Sequence, residues 1–183
     1  EYIKANEIRT LKGELVKSVG ECKVANHLFK LGVEYQYEAD YRIPTRSLDF
    51  RQYSPDFYLP DHDIYIEYYG IDRKGNTAPF VNKEQYHKGI EWKRALHLEN
   101  ETSLIELYHY ENTEGILLAQ IESHLQAAEV EFESLPDESV LDTLREFGAV
   151  QTFAVLLSQM LRLYRASWFD QARLEHKIKQ SPD

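Results

Sequence analysis

Two short stretches, PDFYLP at 55–60 and IYIEYYG at 64–70, decide the fold. Each is apolar enough for a strand. The connection Asp61-His62-Asp63 between them is hairpin-sized, so the two runs should lie side by side. That pairing sets Asp56 at the start of one strand and Glu67 near the end of its neighbour, and the hairpin folds their separation back on itself. Two hard carboxylates with water positions left open suit Mg²⁺ or Mn²⁺, which activates water and stabilises charge on a phosphate. Glu67 is flanked by Ile66 and Tyr68, where a charge is costly unless it is paired or ligates something. The alternative is that both acids cap strand ends and meet solvent or arginines.

Working outward, Val16, Val19, Cys22, Ala25, Leu28 and Phe29 recur at helical spacing, which predicts a helix over 16–31 ended by Gly32. The odd positions from Val33 to Ile43 then alternate with polar residues, a period-two pattern that predicts a strand stopped by Pro44. A polar loop, TRSLDFRQYS, leads into the deciding pair. After it come a loop over 70–82, a helix over 83–98, a short strand at 104–108 and a helix over 115–128. The stretch SLPDES interrupts the chain at Pro136, and beyond it only helical periodicity appears, over 140–147, 150–165 and 169–179.

The expectation is therefore an α/β domain over 1–134, with a mixed sheet flanked by helices in the order helix, three strands, helix, strand. An all-helical segment over 135–183 follows.

A chain of 183 residues holds one full core and a smaller appendage. No apolar run is long enough to span a bilayer. The opening EYIKANEIRT has no secretory h-region, and a start without Met hints at an excised piece. Cys22 is the single cysteine, which excludes an internal disulfide and points to a cytoplasmic setting. The seven histidines show no zinc-ligand spacing, and no serine sits in a nucleophile elbow.

Net charge is −10, yet its distribution is uneven. Arg73, Lys74, Lys83, Lys88, Lys93 and Arg94 face only Glu84 and Glu91 over 73–97, whereas thirteen acidic residues face Arg145 alone over 99–146. Such asymmetry predicts different partners for the two regions, the first a polyanion; a solvated acidic helix face is the plainer reading of the second. Most of the thirteen tyrosines fall on the predicted strands, where aromatics pack sheets. Tyr68 and Tyr69 beside Glu67 are exceptions, since one of them must face the site.

Adding Glu21 on the first helix to Pro55-Asp56 and Glu67 gives an order of elements that resembles the PD-(D/E)xK superfamily of restriction-endonuclease-like nucleases, over about 15–112. The resemblance implies Mg²⁺- or Mn²⁺-dependent cutting of a DNA backbone, with Asp56 and Glu67 as metal ligands and Glu21 as an accessory acid. The pattern wants lysine two residues after Glu67, where this chain has Tyr69. Superfamily members that supply this charge from the following helix make Lys93, in IEWKRALH, or Lys88 the counterpart. Arg73, Lys74, Lys83, Lys88 and Arg94 are candidate DNA contacts.

The strings VKSVGECKVANHLFKLGVEYQYEADY, RQYSPDFYLPDHDIYIEYYGIDRKGNTAP and GIEWKRALHLENETSLIELYHY are similar to the segment embedded in bacterial UvrD/Rep-type superfamily 1 helicases of the helicase IV kind. LREFGAVQTFAVLLSQMLRLYRAS resembles the start of the neighbouring helical subdomain. The implied partners are DNA and the rest of a helicase chain in a bacterial cytoplasm. ATP would bind only the full-length motor, because no phosphate-binding loop motif occurs here. Two other readings stay open: a DNA-binding or regulatory insertion that lost its chemistry, and a protein-interaction module using the acidic 99–146 region.

Overall fold

The computed structural model describes residues 7–47, 51–146 and 148–166. By its contacts the chain divides into two units, Glu1–Val140 and Leu141–Asp183.

The first unit opens with a small antiparallel ribbon, β1 (Ile8–Arg9) with β2 (Leu15–Val16), which the sequence reading did not anticipate. Each strand has two residues, too few for periodicity to register. Then α1 (Val19–Lys30) begins at Ser18, whose hydroxyl accepts the Glu21 N–H at 3.1 Å. The main sheet runs in the order β3 (Gln36–Tyr37), β4 (Phe57–Leu59), β5 (Ile64–Tyr69), β6 (Ser103–Tyr108). β3 and β5 flank β4 antiparallel, and β6 joins β5 in parallel after a crossover through α2 (Lys83–Glu99). α3 (His109–Thr113) and α4 (Leu117–Ala127) follow. The result is an α/β arrangement around a mixed four-stranded sheet.

All six residues of β5 are buried, because helices cover both faces of the strand. Ile64, Ile66 and Tyr68 point with Phe57, Leu59 and Leu107 into the main core, against Val24 and Leu28 of α1 and Ile121 and Leu125 of α4. The alternate residues Tyr65, Glu67 and Tyr69 point toward α2. There Tyr65 packs with Tyr41, Tyr53 and Leu96, and Tyr69 with Ile71 and Ile90.

The strand predicted over 33–43 shrinks to Gln36–Tyr37. Glu38 adopts φ 50, in the left-handed region, which turns the backbone out of the ladder. Single hydrogen bonds continue the association, from Glu38 N to Asp56 O (3.1 Å) and from Tyr41 N to Tyr53 O (2.9 Å). The alternation survives as burial, with Val33, Tyr35 and Tyr41 all inside. Periodicity here reported which side chains are buried, not which backbone groups pair or which face is shared, since Val33 and Tyr35 join the main core and Tyr41 packs on the α2 side.

In the second unit, α6 (Ala149–Ala166) exposes Phe153, Leu156, Leu157, Met160, Leu161 and Leu163. α5 (Asp137–Glu146) crosses the division between the units. The helix expected over 169–179 lies outside the described residues. None of the described helices is long and apolar enough to cross a membrane.

Candidate active site

Glu67 is 2% exposed and both its oxygens are engaged. The Tyr53 hydroxyl donates to Oε1 at 2.7 Å, and the Lys93 ammonium from α2 donates to Oε2 at 2.5 Å. The ammonium also lies 5.6 Å from the Tyr53 ring centre and 5.5 Å from that of Tyr69, so two aromatic rings and one carboxylate flank it. Tyr69 is the tyrosine that shares the site's side of the sheet; Tyr68 packs in the opposite core.

Asp56 stands one residue outside the β4–β5 ladder, whose last pair is Phe57 with Ile66. The next step of that register places Asp56 beside Glu67. Its Oδ2 accepts the Tyr68 N–H at 2.7 Å, which ties the carboxylate to β5. Loss of solvent and then the nearby charge of Glu67 push the Asp56 carboxyl up to about 7, against smaller lowering effects of the Tyr68 N–H and Lys93. Burial beside Glu67 therefore disfavours the charged form of Asp56.

Glu21 is committed elsewhere. Its Oε1 accepts the Ser18 hydroxyl at 2.8 Å, and its Oε2 accepts the Tyr37 hydroxyl at 2.7 Å and the Lys17 N–H at 3.1 Å. It caps α1 and docks that helix on β3. Its charge still raises the Asp56 carboxyl, as a smaller contribution than that of Glu67. Among the described residues no group of three or more His, Cys, Asp or Glu side chains is placed to hold a metal ion.

Behind Glu67 lies a polar relay that the sequence reading missed. Nε2 of His97 is 3.2 Å from the Tyr53 hydroxyl, and Nδ1 is 2.7 Å from Oγ1 of Thr102. Since the single Tyr53 proton goes to Glu67, the consistent tautomer carries hydrogen on Nε2 and accepts from Thr102 at Nδ1. Burial, and next the positive charge of Lys93, push the His97 imidazole down to about 4, so it is neutral at physiological pH. Tyr53 sits in a loop without periodicity. His97 carried a usable signal: it lies four residues after Lys93, on the same stripe of α2.

The two charge-biased segments, read in sequence as surfaces for different partners, in part neutralise each other. Arg73 makes a bidentate pair with Glu114, and Arg94 makes one with Glu106. Lys88 pairs with Glu84 on the surface rather than approaching Glu67, and Lys83 donates to Asn76. Lys74 lies exposed in the loop before α2. Of the acidic segment, Glu111 caps α3 by accepting the Tyr108 N–H, and Glu122 meets His27. The sequence could not show the Arg73–Glu114, Arg94–Glu106 and His27–Glu122 pairs because their partners lie on separate elements, whereas Lys88–Glu84 is an i,i+4 pair within α2.

Comparison with family models, with curated proteins and with solved structures gives no match.

Proposed function

We propose that the first unit is a metal-dependent DNA nuclease module of the restriction-endonuclease-like kind. It would work within a bacterial UvrD/Rep-type helicase in DNA processing or repair. One observation carries this reading: Lys93 meets Glu67 from the helix after the strand. The cation that the PD-(D/E)xK pattern wants two residues after the glutamate reaches that carboxylate by another route, across the ring of the Tyr69 that took its place.

The oxygen chemistry of the acidic pair suits Mg²⁺ or Mn²⁺, which would have to share Glu67 with Tyr53 and Lys93. Asp56 and Glu67 offer hard oxygens, and a divalent cation beside them would offset the burial, and next the Glu67 charge, that raise the Asp56 carboxyl. Asp56 and Glu67 would hold the ion, which when bound supplies an activated water and charge stabilisation at a phosphate. Tyr53, oriented by His97, fixes the Glu67 carboxylate, and the Tyr68 N–H fixes Asp56. Lys93, beside Glu67, would supply positive charge to a phosphodiester held at that carboxylate. The apolar side chains exposed on α6 support a packing role against further protein, as a helicase subdomain would provide. ATP would bind elsewhere in such a motor.

The test is cleavage of single- and double-stranded DNA by the purified chain with Mg²⁺ or Mn²⁺. Activity should fall at least about 100-fold in Asp56→Asn and Glu67→Gln, the scale of losing a group that stabilises transition-state charge. Wild-type protein that binds DNA in a salt-dependent way but cuts nothing with either ion overturns the nuclease reading. That result would leave the second reading, a non-catalytic DNA-binding insertion, which the engagement of both Glu67 oxygens favours.

A further inference from the structure

We infer that the cleft beside Lys93 is a nucleobase subsite that receives an unpaired base of the bound strand. This rests on the nuclease reading above and names its substrate class. The cleft has a volume of about 310 Å³, at the small end of ligand pockets, and is lined by Tyr69, Gln85, Tyr86, Gly89, Ile90 and Lys93. Tyr69 and Ile90 are almost fully buried, so the half-buried Tyr86 ring is the aromatic surface the cleft offers, and Lys93, whose ammonium pairs with Glu67, keeps part of its side chain exposed beside it. A nucleotide joins the two matching chemistries in one molecule: a flat apolar ring to pack on Tyr86 and a phosphate to meet the lysine. A base inside a duplex is stacked and paired, so the base that enters must be single-stranded, frayed or extruded.

Gly89 is the independent observation. It lies in the interior of α2, a helix of seventeen residues, where glycine is less stable than alanine. No left-handed φ requires it, and a Cβ built there meets nothing within 4 Å. Neither turn geometry nor packing explains a glycine at this position. It lines the cleft, so the absent side chain leaves that stretch of the wall bare. On the same wall, Tyr69 carries the one buried side-chain polar atom without a hydrogen-bond partner among the described residues, its hydroxyl. A ligand or a carried-in water would satisfy it.

The experiment uses the full 183-residue chain without divalent metal, so that cleavage plays no part. Deoxyadenosine monophosphate and 2-deoxyribose 5-phosphate are titrated by calorimetry, and the Ile90 δ1-methyl resonance is followed by NMR. The nucleotide should bind roughly ten-fold tighter than the base-free sugar phosphate. The Ile90 methyl should move upfield with the nucleotide alone. Gly89→Leu, which fills the cleft, should abolish the preference, with Gly89→Ala as the control for helix stability. Equal affinity for the two compounds, or a preference that survives in folded Gly89→Leu, overturns the subsite. If Gly89→Leu melts below the assay temperature, the wild-type Ile90 methyl decides: no nucleotide-specific shift rejects the subsite. Base-dependent binding in a chain that cuts no DNA removes the nuclease reading and keeps the subsite; cleavage without base-dependent binding removes the subsite alone.

Discussion

Lys93 and Arg94, consecutive on α2, meet Glu67 and Glu106, which are register partners on the parallel strands β5 and β6. Two like charges abreast on one sheet face repel, and each has its own cation. Removing Lys93 therefore exposes both the desolvation of Glu67 and its repulsion by Glu106. Lys93→Met should destabilise the first unit by about 2–3 kcal/mol, toward the low end for breaking a buried pair because the lysine keeps some solvent contact. Lys93→Met with Glu67→Gln should cost less than the sum of the single changes in urea unfolding. Additive costs would show that the ion pair contributes no coupling.

Asp56 makes stability fall with rising pH. Its carboxyl is near 7 in the fold and near 3.8 in the unfolded chain, so its protonation favours the fold fully below about 3.8, and this is lost as pH rises through 7. Asp56→Asn should be more stable than wild type at pH 8 by on the order of 3 kcal/mol, with little difference at pH 4. Mg²⁺ at pH 8 should raise the melting temperature of wild type but not of Asp56→Asn. An equal response of both proteins places any bound ion elsewhere.

His97 acts in the opposite direction. Its imidazole is near 4 in the fold against 6.5 when free, so its contribution is complete above 6.5 and is lost as pH falls toward 4. In the Asp56→Asn background, where the opposing carboxyl is gone, unfolding free energy should drop by about 2 kcal/mol between pH 7 and pH 4.5. Replacing His97 with Gln in that background should flatten this limb. A slope unchanged by the replacement would assign it to other groups.

Two helix glycines should respond with opposite signs. Gly89→Ala should stabilise α2 by about 1 kcal/mol, since the added methyl meets open space. Gly20 lies in α1 against Tyr68, and a Cβ there would come within 2.1 Å of that ring. Gly20→Ala should destabilise by about 2–3 kcal/mol as Tyr68 is forced out of the core. Thermal melts of the two variants check both signs, and a stabilising Gly20→Ala would show that Tyr68 yields freely.

The element order from the first helix to β6 was legible because apolar spacing is imposed by burial, and burial is what each of these elements shares. β5 was read to its boundaries, since a strand covered on both faces is apolar from end to end apart from Glu67. α3 was not anticipated, as its five residues hold too little periodicity and its cap is a glutamate contact back to Tyr108 N. In the site, the placement of Asp56 beside Glu67 was legible from the hairpin spacing, whereas Lys93 was named only through the resemblance, as one of two lysines. The Tyr53–His97 relay was not legible, because it joins a loop to a helix across forty-four positions that no local pattern links.

The paired contacts of Lys93 and Arg94 bear on how α2 finds its seat. A slide of one residue along the sheet would offer Trp92 to Glu67 and Lys93 to Glu106, leaving a desolvated carboxylate opposite an indole. A roll about the helix axis would break both pairs together. Apolar packing alone tolerates neighbouring seatings of a helix on a sheet, whereas two adjacent charges matched to two adjacent strands accept one. The ion pairs therefore work as an alignment key, setting where α2 comes to rest as the sheet assembles.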